Sequence, residues 1–490
     1  MAARAARRTS AQRTSLTRHF FASLISSLTE RASRTSIVIA GGTVHTPEGP
    51  REVDVHIAGG VITAVGNETA PPGARTVDAR GMYVLPGAID VHVHSRDPGF
   101  PQKEDFGTLT AAAAAGGVTT VIDMPNTVPA VDAAGVLESK AALARRQARV
   151  DVGLWGLVRS GSTSEDLEGL AAAGAIGFKA YLGYAFSLTH KQVHYSPDLD
   201  DFDLEAPPDY GTLARLAPVI AELGLPLVVH AEDPGILAAF RRPLETYADL
   251  LAARPAEAEA VAVAAAAEIA GASGVRLHVA HLSSAAGLAA AQEAIRAGAP
   301  LSLETCPQYL WLCDEDFARL GTAMKVFPPI RSAADRDALL EGLANGVIGM
   351  VATDHAPHTD EEKAAPFAEA PSGSPGVQTL YISCLELAKR QGDVWRAPRW
   401  VSEAPAALAG LQESKGTIAP GFDADVVIVD PNRATRVRPD AMRSRQRHGA
   451  LDGMEFGFTV HATYLRGSLV AGEGHRVGRP SGRILRPFRR

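Results

Sequence analysis

Gly87-Ala-Ile-Asp-Val-His-Val-His-Ser-Arg-Asp-Pro-Gly99 is an apolar run that ends in two imidazoles one residue apart, followed by an arginine and a turn. Side chains at i and i+2 of a strand point the same way, so His92 and His94 project together from one strand end, as two ligands of one metal ion would. Arg96 follows with the same parity. Taken alone, a His-x-His pair fits equally well a half-buried strand whose imidazoles make ordinary hydrogen bonds. The chemistry therefore has to come from the rest of the chain.

Downstream of this stretch, strand-like and helix-like segments alternate. Strands are expected at 87–94, 118–123, 151–157, 175–182, 226–230, 275–281, 300–304 and 347–353. Helices with apolar residues at helical spacing fall near 105–116, 132–148, 164–173, 211–223, 254–271, 285–297, 332–344 and 375–391. Eight strand-helix units over some 300 residues predict an α/β fold of the (β/α)8 barrel type, with its active site at the carboxyl ends of the strands. A doubly wound sheet is the alternative, but no Gly-x-Gly-x-x-Gly follows an early strand. Outside the barrel, period-two runs around glycine turns lie at both ends of the chain: Val53-Asp-Val-His-Ile, Gly59-Gly60 and Val61-Ile-Thr-Ala-Val on one side, Ala424 to Asp430 and Thr459 to Gly467 on the other. These predict a small β-sandwich domain assembled from 36–86 and 412–480 around a barrel at 87–411. His45, His56 and His461 fall in it and read as strand residues rather than ligands.

Composition narrows the function classes. A net charge of −7 with 46% hydrophobic and 21% charged residues is ordinary globular usage and gives no footprint for nucleic acid, so small molecules are the expected partners. Cys306, Cys313 and Cys384 form no Cys-x-x-Cys pair, and an odd number argues against a disulfide framework; a reducing cytoplasm fits. Alanine runs such as Ala111 to Ala115 are far shorter than the roughly 20 residues of a membrane span. Residues 1–35 stand apart. Arg4, Arg7, Arg8, Arg13, Arg18, Arg31 and Arg34 face a single acid, Glu30, a transit-peptide composition that also suits a flexible tail or sequence upstream of the true start. A non-catalytic tail is the reading preferred here.

The barrel makes a demand on the chemistry-bearing residues, which should gather at strand ends. They do so in the sequence: His92 and His94 end strand one, Lys179 lies on strand four, His230 ends strand five, His281 strand six and Asp354 strand eight. Each has a bland reading, a snorkelling lysine or a hydrogen-bonded barrel histidine, but together they point to a shared site. Imidazole and carboxylate suit Zn2+, with Mn2+, Co2+ or Fe2+ as substitutes. One catalytic zinc needs only three protein ligands, so four histidines and an aspartate imply two divalent metal ions. Two such cations need an anion between them, and a neutral lysine amine that takes up carbon dioxide supplies a two-oxygen carbamate; Lys179 is the candidate.

These residues carry a resemblance. From about Ser36 to Gly474 the chain resembles the amidohydrolase superfamily and, within it, the cyclic amidohydrolases: dihydroorotases, allantoinases and hydantoinases. The motifs are Asp90-Val-His-Val-His-Ser-Arg-Asp-Pro-Gly99, Asp123-Met-Pro-Asn-Thr127, Gly177-Phe-Lys-Ala-Tyr181, Val229-His-Ala-Glu232, His278-Val-Ala-His-Leu-Ser283, Glu304-Thr-Cys-Pro-Gln-Tyr309 and Ala352-Thr-Asp-His-Ala-Pro-His-Thr359. The resemblance implies that His92, His94 and Asp354 hold one metal, that His230 and His281 hold the other, that carboxylated Lys179 bridges both, and that the enzyme is a dimer or tetramer. Asp354 would act as general base and then acid in opening or closing a cyclic amide.

The resemblance also bears on the substrate. Arg96, Asn126 and His358 match the positions that hold the substrate carboxylate in dihydroorotases, where a guanidinium offers a bidentate fork; the alternative for Arg96 is a salt bridge to Asp97 or Glu104. Dihydroorotase is thus the leading expectation, with allantoinase or a hydantoinase-type cyclic ureide hydrolase as runner-up and an inactive scaffold as a distant third. Three features favour the runner-up: Phe327 where many dihydroorotases have asparagine, the Glu304 to Tyr309 motif, and the unusual segment 187–209 with His190, His194 and the acidic run Asp198 to Glu205. That segment reads as a solvated excursion or a lid.

Overall fold

The structure, a computed structural model, describes residues 36–195, 203–472 and 477–488. Eight parallel strands form the barrel: β1 (Ala88–Val93), β2 (Val118–Asp123), β3 (Asp151–Leu154), β4 (Phe178–Tyr181), β5 (Pro226–His230), β6 (Arg276–Val279), β7 (Leu301–Thr305) and β8 (Met350–Val351). After Trp155 the chain continues β3 as Gly156–Val158, which pairs with β4 in the register Lys179 to Leu157. Closure is made just beyond β8, where a bridge joins Val93 to His355 and the His94 N–H donates to the His355 carbonyl at 2.8 Å. Side chains directed into the barrel, among them Ile89, Ile122, Trp155, Ile176, Val228 and Met350, fill it as a packed apolar plug, so the barrel is closed below its carboxyl rim.

All eight expected strands and eight expected helices are present. The helices start where short polar side chains satisfy the free N–H groups of the first turn: Asp105, Thr163 and Ser332 each make a reciprocal capping box. Three short helices in the strand-to-helix loops, Pro234–Ala239, Tyr247–Ala253 and Pro307–Trp311, have no counterpart among the sequence expectations, because one or two turns are too short to show a period.

Strands from both ends of the chain meet in one eight-stranded sheet, which runs through Ile37–Thr46 at its centre and pairs Tyr83–Pro86 with Val426–Asp430. It buries its own cluster, including Ile39, Val55, Ile62, Val84, Val426 and Ile428. In the described part of segment 187–209, Ser187 belongs to a short strand, Ala185–Ser187, that pairs with Gln192–His194 and Leu204–Glu205; Val193 packs beside Tyr181 and Tyr184, while Leu188, Thr189, His190 and Lys191 are exposed. Asp198, Asp200 and Asp201 of the acidic run, like the basic stretch 1–35, lie outside the described residues. No helix among the described residues is long and apolar enough to cross a membrane.

Candidate active site

At the carboxyl rim, His92 Nε2 and His94 Nε2 lie 3.4 and 3.0 Å from Asp354 Oδ1, and ligand atoms of these three residues all lie within 4.8 Å of one another. The outer nitrogens fix which lone pairs face inward. His92 Nδ1 donates to Glu304 Oε1 at 2.6 Å, and His94 Nδ1 donates to Asn126 Oδ1 at 2.8 Å, leaving both Nε2 atoms as acceptors aimed at the same space. Burial drives the His94 pKa down to about 4, so the ring is neutral, as a ligand must be. Three residues at this rim adopt positive φ: Arg96 at 59°, His281 at 39° and Asp354 at 49°. Such conformations cost of order 1–3 kcal/mol each and persist only where surrounding structure holds them.

A second convergence adjoins the first. His230 Nε2 donates to Glu232 Oε2 at 2.8 Å, and its Nδ1 faces His281 Nε2 at 2.9 Å. Glu232 is itself held by Arg254. The Lys179 amine is fully buried and has no hydrogen-bond partner, and neither has His281 Nδ1. Desolvation lowers the Lys179 pKa to about 8. The Lys179 amine and His281 Nδ1 are thus left unsatisfied, which costs roughly 1–3 kcal/mol per group. Cations held by these side chains, with the amine converted to an anionic carbamate, would satisfy both. The donor set, imidazoles and a carboxylate around orphaned buried atoms, fits divalent metal ions.

The site opens into a cavity of about 350 Å3 whose walls include Arg96, His358, Lys325, Phe327 and Asp354. Arg96 pairs with neither Asp97 nor Glu104. Its Nε donates to the Pro357 carbonyl at 3.2 Å, and its Nη2 lies 3.1 Å from His358 Nε2. Gly373, also in the wall, has φ +137°, and a Cβ there would sit 2.2 Å from the Ala356 carbonyl, so only glycine lets the two loops meet. Asn126 joins two residues of the wall: its Oδ1 accepts from His94 and its amide NH2 donates to the Tyr195 hydroxyl. Sequence reasoning missed Tyr181, Tyr184 and Tyr195, which complete the cavity. It also quoted Glu304 only within a motif, although this residue clamps both His92 and His278. A carboxylate buried in a barrel strand was the available signal.

Beneath the rim, Ser95, between the second histidine and Arg96, donates through its N–H and hydroxyl to Asp123 at 2.6 and 2.7 Å. Asp123 in turn pairs at 2.6 Å with Lys140, which is fully buried.

Compared with known proteins, residues 83–470 match the amidohydrolase family. The chain is 39% identical over 458 residues to the allantoinase of Streptomyces avermitilis, an alignment that covers 92% of this chain and 99% of that enzyme. It is 38% identical over 436 residues to the dihydroorotase of Halobacterium salinarum, covering 88% and 96%. Among solved structures, L-hydantoinase (dihydropyrimidinase) from Arthrobacter aurescens superposes with a TM-score of 0.83 at 30% identity, over 91% of this chain and 99% of that one.

Proposed function

Because the chain belongs to the amidohydrolase family, we propose that it is a metal-dependent hydrolase of cyclic ureides, with allantoin as the first substrate to test. Among its relatives, the allantoinase of Streptomyces avermitilis supports the ring type. The observation that carries the choice over dihydroorotate is the placement of Asn126. A carboxylate clamp of Arg96, Asn126 and His358 needs donors from all three, and the Asn126 amide is already bonded to His94 and to the Tyr195 hydroxyl. The expectation of a dihydroorotase thereby yields to the runner-up.

His92, His94 and Asp354 would hold one metal ion, His230 and His281 a second, with carboxylated Lys179 between them. When bound, these ions supply Lewis-acid polarisation of the scissile carbonyl and an acidified water. The protein's own residues do the rest. Asp354 accepts the proton of the attacking water on a carboxylate oxygen and returns it to the departing ring nitrogen. Burial pushes the Asp354 pKa up, but His92, His94 and Lys179 outweigh it and hold the carboxyl below its ordinary value. Glu304 and Asn126 keep the lone pairs of His92 and His94 pointing inward. Arg96 offers its guanidinium to the ring from the opposite wall, where His358 holds it.

One observation favours a second reading: Arg96 lines the cavity without any carboxylate partner among the described residues, as it would if the ring bore a carboxylate. Metal-loaded wild type and Arg96→Ala assayed on allantoin, hydantoin, dihydrouracil and dihydroorotate decide between them. The expected result is ring opening of allantoin. Turnover of dihydroorotate alone, abolished in Arg96→Ala, would overturn the ureide reading in favour of the dihydroorotase one.

A further inference from the structure

The metal-facing cavity has a neighbour. A second chamber of about 400 Å3 adjoins it, and the walls share four residues, Tyr195, Leu244, Phe327 and Ala368, which form a collar between them. Among the described residues, the charged ones lining the outer chamber are Arg241, Arg242 and Arg254, with no acid. Arg254 is already engaged, bonded to Glu232 and stacked 3.7 Å from the centre of the Phe327 ring. Arg241 and Arg242 are exposed and make no ion pair among the described residues.

Lys325 stands at the collar. It lines the inner cavity and its amine donates to the carbonyls of Phe367 and of Ala368, the latter at 3.3 Å. The residue is only 3% exposed and has no carboxylate partner. An ammonium has three donors, and two are spent on these carbonyls. A buried cation without an anion is costly, and one donor remains on an amine that lines the inner cavity and is bonded to the carbonyl of the collar residue Ala368.

We propose that the outer chamber is the subsite for the exocyclic arm of the ring substrate, and that it selects arms ending in a hydrogen-bond acceptor, a ureido carbonyl or a carboxylate, which Lys325 receives at the collar and Arg241 and Arg242 attract from outside. Alkyl and aryl arms leave these donors unpaired. This rests on the cyclic ureide reading and names the substrate class within it.

The test uses the metal-loaded full chain and hydantoins that differ only in their arm: allantoin and hydantoin-5-acetate as acceptor arms, 5-methylhydantoin as alkyl arm, and unsubstituted hydantoin as reference. Wild type should favour an acceptor arm over the methyl arm in kcat/KM by about tenfold or more, the scale of one hydrogen bond to a charged donor. That ratio, taken within each variant, should collapse for both acceptor arms in Lys325→Met and, for the anionic hydantoin-5-acetate, fall about threefold in the Arg241→Gln/Arg242→Gln double variant, as removal of long-range charge does. The double variant lies on the surface and carries the test if Lys325→Met does not fold. Equal turnover of acceptor and methyl arms by wild type, or a ratio unchanged in every folded variant, would overturn the subsite while leaving ring hydrolysis standing. Inertness towards every hydantoin, the unsubstituted one included, would overturn the cyclic ureide reading itself and the subsite with it.

Discussion

His230 Nδ1 and His281 Nε2 face each other across 2.9 Å, and the imidazole of His230 is committed at its other nitrogen to Glu232. Neutral imidazole nitrogens brought this close can turn their lone pairs to one cation. Lys179, buried beside them without a hydrogen-bond partner, lies on β4 next to the strand that ends in His230. Elemental analysis of protein purified without chelators should therefore find about two divalent ions per chain, the complement of a paired site. Lys179→Met should hold markedly less metal. A wild-type chain free of stoichiometric metal would refute the assignment of all six residues.

Glu304 accepts from His92 Nδ1 at 2.6 Å and lies 3.2 Å from His278 Nε2. It touches no space that a substrate can reach and acts by holding the ring of His92. Partners of this type typically contribute 10–100-fold in metal affinity. Glu304→Gln should weaken metal retention by about that factor in a competition against a calibrated chelator, and added metal should restore most of its activity. Unaltered retention would leave Glu304 a merely structural carboxylate.

The positions of His92, His94, Lys179, His230, His281 and Asp354 were legible because a barrel turns sequence order into spatial neighbourhood: any residue at a strand's carboxyl end is delivered to the same rim. Asn126 was not legible in the same way. It lies in a loop after β2, and whether its amide reaches the cavity or the back of His94 depends on Tyr195, 69 residues away. Arg96 was legible as a cavity residue, but its partners Pro357 and His358 belong to the last barrel loop, and nothing in local spacing distinguishes them from Asp97 or Glu104. Tyr181 escaped because an aromatic residue on a barrel strand is ordinary core until the fold shows which face is open, and Tyr184 and Tyr195 escaped because they lie in the long excursion after β4, where no period points inward.

Asp123 anchors Ser95 from below while pairing with Lys140, and the Lys140 amine also donates to the Met124 carbonyl at 2.8 Å. Both ion-pair members are fully buried, so removing one leaves the other an uncompensated charge, at a cost of about 3–5 kcal/mol. Lys140→Met should therefore lower the thermal midpoint sharply. The double variant Asp123→Asn/Lys140→Met should recover part of the loss, since the stranded carboxylate is gone. A single variant as stable as wild type would show that the pair is solvated in solution.

His358 supplies a pH signature distinct from any metal ligand. Burial is the main cause that holds its pKa down at about 3, with Arg96, Lys103 and Lys363 adding repulsion and Glu362 opposing them. A folded pKa below the ordinary value of 6.5 means that the unfolded chain binds this proton first. Stability linked to His358 is thus intact above pH 6.5 and is lost as the pH falls from there towards 3, at up to about 1.4 kcal/mol per pH unit. His358→Asn removes the titration and keeps a polar side chain in place. Unfolding free energies of wild type and His358→Asn at pH 7.5 and pH 5.5 should therefore converge or cross as the pH drops, with wild type losing about 1 kcal/mol more than the variant. The metal ligands protonate over part of the same range, but they do so in both proteins, and the difference between them isolates His358. Parallel losses in the two would place the folded pKa of His358 near its unfolded value and remove the neutral imidazole from the wall that faces Arg96.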